Sequence, residues 1–202
     1  MAIRTIARLG EPILRRTASP VAREQLSSAW FEQLVADLVD TMRHADGAGL
    51  AAPQIFESFQ VCVIEVGRDG KHNPRYPLLP DIPLRVFVNP QLTPLTTSYD
   101  FLLENESISM YEGCLSVPGL RGRVTRPRSV RLRALDVKGE AIDEVWSGPV
   151  AAVIQHEVDH LHGSVFLDRV DASTLCFLQE YERYVPPEER IVDHGAPRPK
   201  EG

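Results

Sequence analysis

The chain has 202 residues, 43% of them hydrophobic and 25% charged, and a formal net charge of −6. This is the composition of a soluble globular protein with enough chain for one ordinary core. It excludes a wholly disordered chain, its acidity argues against general nucleic-acid binding, and no sequence-specific nucleic-acid partner is expected.

The first ten residues hold no long apolar run, so no secretory signal is expected, and no segment approaches the length of a membrane span. Residues 2–21 read as an extended arm with turns at Gly10-Glu11-Pro12 and Ser19-Pro20. A helix comes next. Trp30, Phe31, Leu34, Val35, Leu38, Val39 and Met42 recur at helical spacing with Glu32, Asp37, Asp40 and Arg43 between them, and a stop is expected near Asp46-Gly47. The next stretch, Gly47-Ala48-Gly49-Leu50-Ala51-Ala52-Pro53-Gln54, is small and apolar and ends in an amide. It reads as a helix end and a tight turn, or as a backbone that approaches a ligand closely. It lacks the Lys-Ser/Thr ending of a phosphate loop.

Gln60 to Val66 reads as a buried strand in which Cys62 is a small core residue. The Gly-, Pro- and charge-rich stretch 67–83 reads as a surface insertion. A second strand, Leu84 to Val88, is expected to stop at Asn89-Pro90, with further short strands over 91–110. Val130 to Val137 alternates, Lys138-Gly139 turns, and 140–146 returns, which predicts a β-hairpin. The many nearby arginines (Arg121, Arg123, Arg126, Arg128, Arg131, Arg133) read as a solvated strand face or, more sharply, as a contact surface for a peptide backbone or an anionic partner such as ribosomal RNA. A final helix is expected over 172–184, then a disordered polar tail, so that residues 1–185 form one catalytic domain and 186–202 the tail. The three cysteines, Cys62, Cys114 and Cys176, are widely spaced and odd in number, which suits a reducing cytosol and not a disulfide framework.

The chemistry concentrates in Gln155-His156-Glu157-Val158-Asp159-His160. Gly148-Pro149 opens this helix and Gly163 ends it. Positions i and i+4 share one helix face, so His156 and His160 can reach one metal ion while Glu157 touches a water bound to it. The apolar run before it, Val150 to Ile154, predicts a buried helix, where imidazoles and a carboxylate need partners. His162 is expected to be a bystander on the surface.

A third ligand is required. The metzincin extension fails because Phe166 occupies the ligand position. A gluzincin-like arrangement would draw on Glu180, which also reads as an ordinary exposed residue. Cys114, in Tyr111-Glu112-Gly113-Cys114-Leu115-Ser116, is the remaining choice. One Cys and two His leave a fourth tetrahedral position open, as in catalytic sites. A binding protein with a degenerate site is the third reading, and Glu157 and Gln54 argue against it.

Three motifs carry a resemblance to a known family. Gly47 to Gln54 resembles the GxGLAAxQ signature of peptide deformylases, Glu112 to Ser116 their EGCLS, and Gln155 to Gly163 their QHExDHLxG. All three stand in the family's order, and the resemblance covers about 3–170. It implies an α+β single domain with a central H-E-x-x-H helix among small antiparallel and mixed sheets, plus an N-terminal and a C-terminal helix. It implies a hydrolase that removes the formyl group from formyl-methionine of new polypeptides, releasing formate. The implied metal ligands are Cys114, His156 and His160. The implied ion is divalent, physiologically Fe(II), with Zn(II), Ni(II) or Co(II) also found. Glu157 is the implied base and acid, and the Gln54 amide and the Leu115 N–H the implied oxyanion donors. Gly49 is the implied backbone partner of the peptide, Arg121 a contact beyond methionine, and Met110, Pro149, Ala152 and Val153 the lining of a methionine pocket. Glu112 is expected to pair with an arginine, and Asp159 to hold a ligand histidine. The implied partners are formyl-methionyl nascent peptides and the ribosome near its exit, in a bacterial cytoplasm and without membrane contact.

Overall fold

The computed structural model describes residues 2–67, 71, 78–95 and 106–195. Its strands are β1 (Gly49–Ala51), β2 (Val61–Val66), β3 (Ile82–Pro94), β4 (Ser107–Cys114), β5 (Val117–Pro127), β6 (Ser129–Leu135), β7 (Ala141–Ser147), β8 (Cys176–Phe177) and β9 (Ile191–Asp193). Its helices are α1 (Ala29–His44), α2 (Pro149–Leu161), α3 (Leu178–Tyr184) and the single turn α4 (Pro187–Arg190). The strands form a five-stranded sheet in the order β1-β2-β3-β6-β7 and a four-stranded sheet in the order β8-β5-β4-β9. Every pairing between these strands is antiparallel; of the antiparallel and mixed sheets expected, the described residues form the antiparallel kind, and their one parallel contact is an isolated bridge between Ser19 and Phe59.

Helix α2 is the organising element. Gly148, at φ +65°, makes the turn into it and Pro149 occupies its first position, where a missing N–H costs nothing. Ala151, Ala152, Val153, Ile154, Val158 and Leu161 pack with Cys62, Ile64, Phe87, Leu132 and Trp146 of the large sheet and with Ile108 and Met110 of the small one. On the other face of the large sheet, Phe31, Leu34, Leu38 and Met42 of α1 pack on Val61, Val63 and Val88. The alternation in β2 is what builds two cores from one strand, because successive side chains point to opposite faces. Helix α1 begins where Ser28 Oγ accepts the Phe31 N–H at 3.2 Å, a standard N-cap.

Several expectations are corrected. Strand β3 does not stop at Asn89-Pro90 but runs on to Pro94 through a register shift between Val88 and Gln91. Asn89, at φ +51°, uses its side chain to bind both the N–H and the C=O of Val21 at 2.8 Å, pinning the N-terminal arm. The expected helix over 172–184 is a short 3₁₀ turn, then β8, then α3 from Leu178. Residues 187–193 are not a disordered tail: they form α4 and β9, and β9 pairs with β4. Residues 196–202 and most of the 67–83 insertion lie outside the described residues.

Gly163 closes α2 at φ +76°, and a Cβ there would meet the backbone of Arg15 at 2.8 Å. The adjacent Leu161 carbonyl accepts the Ala18 N–H at 2.8 Å. Gly163→Ala is therefore expected to lose about 1–3 kcal/mol of stability, read as a lowered midpoint in denaturant unfolding.

Candidate metal centre and active site

Cys114 ends β4, and His156 and His160 stand one turn apart on α2. One donor atom from each lies within 4.8 Å of the other two, and Cys114 Sγ is 3.3 Å from His160 Nε2. His156 Nδ1 hydrogen-bonds Glu112 Oε2 at 2.8 Å, which leaves Nε2 as the ring atom free to ligate. Cys114 and His160 are buried and His156 nearly so. Burial, the largest influence, pushes the Cys114 thiol up, but His160 and His156 overcome it and hold it well below the ordinary thiol range. Glu157 Oε2 is buried without a hydrogen-bond partner among the described residues, and burial pushes its carboxyl up to about 7. Two imidazoles, a stabilised thiolate and an unpartnered carboxylate on one buried point fit a single divalent ion with an open position. Glu180 is exposed on α3 and outside this cluster, so the gluzincin-like arrangement fails.

Gln54 arrives from the loop after β1. Its Oε1 accepts the Ala51 N–H at 2.8 Å, which aims its Nε2 at Ser116 Oγ (3.2 Å) and Cys114 Sγ (3.5 Å). Gly49 in β1 faces Glu157 so closely that a Cβ would fall 2.5 Å from Oε1. The glycine thus lets the strand lie against the carboxylate. Gly113 plays the same part for Arg121, whose guanidinium occupies the space of a side chain there.

A hub that sequence reasoning missed stands behind these residues. Arg126 is 3% exposed. It binds Glu112 with two hydrogen bonds (2.6 and 3.0 Å) and Asp159 with a third (2.8 Å). Burial raises the Glu112 carboxyl, but Arg126 and then His156 outweigh it and bring it down to about 2. Glu112 thus pairs with an arginine, as expected, and also holds His156. Asp159 does not hold a histidine: it binds Arg126 and Arg169. The signal for Arg126 was available, since it shares the inward face of β5 with Gly122 and Val124. The other arginines are mostly matched by carboxylates, Arg128 by Asp193 and Arg131 and Arg133 by Asp143. His162 is exposed and Cys62 is core, as expected.

A cleft of about 260 Å³ opens onto this centre. Gly49, Gln54, Met110, Cys114, Leu115, Arg121, Ala152, Val153, His156 and Glu157 line it. Pro149 does not: it sits at the far end of α2, and Leu79 and Ile191 stand in the wall instead. Leu178, Tyr181, Glu182 and Arg190 complete the rim.

Fold and site together define a hydrolase with an H-E-x-x-H helix and a Cys/His/His cluster that could hold a metal ion. The family model described as polypeptide deformylase matches residues 3–175, and the chain belongs to that family. A peptide deformylase of Leptospira biflexa is 42% identical over 175 residues, 87% of this chain and 92% of that one. Peptide deformylase 1 of Prochlorococcus marinus is 41% identical over 183 residues, 90% and 88% of the two chains. Among solved structures, the Met-Ala-Ser-bound class I type b peptide deformylase of Acinetobacter baumannii superposes with a TM-score of 0.74 at 36% identity, covering 84% of this chain and 99% of that one. The chain is accordingly an enzyme that removes the N-formyl group from newly made polypeptides. Among the described residues no helix is long and apolar enough to cross a membrane.

Replacing Arg126 by Met leaves the buried Glu112 without its guanidinium and the half-buried Asp159 with Arg169 alone. Thermal and denaturant unfolding are expected to show a loss of about 3–5 kcal/mol, together with weaker metal retention on dialysis.

Proposed function

We propose that Cys114, His156 and His160 hold one divalent ion, Fe(II) in the cell, and that this centre deformylates formyl-methionyl peptides as they leave the ribosome in a bacterial cytoplasm. Zn(II), Ni(II) or Co(II) suits the same borderline donor set. The observation that carries the reading is the unpartnered, buried Glu157 carboxylate beside three converging metal donors. When bound, the metal acts as a Lewis acid and lowers the pKa of a coordinated water.

Glu157 would take a proton from the attacking water as the water oxygen bonds to the formyl carbon. It returns the proton to the amine as the C–N bond breaks, so that formate and a free N-terminus result. Gln54 Nε2 and the Leu115 N–H donate to the negative charge that develops on the formyl oxygen. Gln54 is suited to this because its own oxygen is committed to the Ala51 N–H, which fixes the amide with its donor end toward Cys114. Met110, Ala152, Val153, Leu79 and Ile191 give an unbranched apolar side chain a wall to lie on. Gly49 offers its strand backbone to the peptide, and Arg121 meets residues after methionine. The catalytic unit runs from the N-terminal arm through β9, because β9 and α4 complete that wall.

The test is formate release from formyl-Met-Ala-Ser under reducing, anaerobic conditions, with metal content measured alongside. Cys114→Ala is expected to lose metal and activity, whereas Glu180→Ala keeps both. Glu157→Gln is expected to keep metal and lose about 10²–10⁴ in kcat, and Gln54→Ala about 10²–10³. Full activity and metal in Cys114→Ala would sink the assignment.

A further inference from the structure

The family match ends at residue 175, yet the wall of the cleft does not. Leu178, Tyr181, Glu182, Arg190 and Ile191 all face it. They belong to one strap that leaves β8, turns through α3 and α4, and returns as β9 along the edge of β4. There Ile191 pairs with Met110 and Asp193 with Ile108. The strap is tied down at several points. Arg128 binds Asp193 with two hydrogen bonds (2.6 and 3.1 Å), and Arg123 reaches Glu189 at 3.6 Å. The Tyr111 and Tyr181 rings lie 5.4 Å apart. A segment docked this way keeps its side chains in fixed places at the rim.

Arg190 stands apart from its neighbours in what holds it. Arg123, Arg126 and Arg128 each face a carboxylate. Arg190 instead donates to two neutral carbonyls, Val185 O at 3.0 Å and Glu182 O at 3.3 Å, and its guanidinium lies 4.7 Å from the centre of the Tyr181 ring. Among the described residues it has no carboxylate partner. Carbonyls and a ring face orient a guanidinium without cancelling its charge. Arg121 lines the same cleft, and among the described residues the one acidic side chain on this rim outside the buried centre is the exposed Glu182. Arg190 and Arg121 line the same cleft as Met110, Val153 and Ile191, so a peptide whose first residue lies on the apolar wall can bring its later residues to the strap.

We propose that the 178–191 strap is a specificity element in which Arg190 selects formyl-peptides carrying a carboxylate side chain at one of the two positions after the first residue. This rests on the deformylase reading of the centre. Ile191 stands in the apolar wall, and Arg190 reads the charge of the residues beyond it. The carboxylate at the end of a short peptide has the same chemistry as an acidic side chain, so the two sources must be separated.

The test compares kcat/KM for C-terminally amidated formyl-Met-Ala-Ala, formyl-Met-Ala-Glu and formyl-Met-Ala-Lys, their counterparts with Glu or Lys at the second position, and formyl-Met-Ala-Ala as the free acid. In the metal-loaded wild type, Glu is expected to exceed Lys by about three- to tenfold at one of the two positions, carried by KM and shrinking as salt rises. Arg190→Gln is expected to bring that ratio close to one, and Arg190→Glu to invert it. Because the ratio is internal to each protein, partial loss of folded enzyme leaves it readable. Should both variants fail to fold, the wild-type ratio and its salt dependence decide. A wild-type preference for Lys, no charge preference, or an unchanged ratio in Arg190→Gln overturns the proposal. A preference for the free acid over its amide without one for Glu assigns the charge to the chain terminus and also overturns it. No formate from any peptide contradicts the deformylase reading, and the strap's role with it.

Discussion

The active centre depends on one buried cation. Arg126 comes from the far half of β5 and binds Glu112 on β4 and Asp159 on α2. Each carboxylate stands next to the chemistry: Glu112 is two residues before Cys114 and touches His156, and Asp159 is the residue before His160. The three candidate metal donors come from β4 and α2, which share no covalent neighbourhood. Arg126 fixes the spacing between those elements, and Glu112 fixes the ring of His156. A buried guanidinium is costly to desolvate, and it is kept here where carboxylates on both sides accept from it. The same arrangement governs protonation, since it holds Glu112 ionised and so able to accept from His156.

Around this knot the fold is ordinary apolar packing put to one end. Helix α2 is buried on nearly every side because it lies between two antiparallel sheets. A helix packed that way has little freedom to rotate or slide. That rigidity is what lets His156, Glu157 and His160 hold one geometry while the loops that bring Gln54 and Leu115 come from distant parts of the chain. Gly49 and Gly113 are the places where backbone must come closer than any side chain allows, one against Glu157 and one against Arg121. The active centre is thus a contact between three segments, each shaped for proximity.

The legible part of this structure is the part with a period or a fixed spacing. Helix α1 comes from a repeat of 3.6 and the β6–β7 hairpin from alternation about Lys138-Gly139, whereas α2 comes from the histidine spacing between Gly148-Pro149 and Gly163, and β2 from its β-branched run. The metal donors come from two histidines four apart together with motif resemblance. The rest is hidden for identifiable reasons. Asn89 reads as a strand terminator, but its side chain binds the backbone of Val21, its own N–H binds Gln60, and the strand continues through a register shift. Arg126 reads as one more surface arginine, because burial of a charge is decided by partners 14 and 33 residues away. The polar 186–193 stretch reads as unstructured, yet it pairs by backbone along the open edge of β4, an interaction that composition does not report. Analogy puts Pro149 in the pocket, whereas it stands outside, and Ile191 from that same polar stretch fills the wall.

Everything proposed for the chemistry rests on the ligand set. X-ray absorption at the metal edge of the loaded, anaerobically purified enzyme reads it directly. The expected first shell is one sulfur and two imidazole nitrogens with a light oxygen scatterer at the remaining position, and the sulfur contribution vanishes in Cys114→Ser. A shell with no sulfur in the wild type, or one closed by four protein ligands, would contradict a hydrolytic centre built from Cys114, His156 and His160.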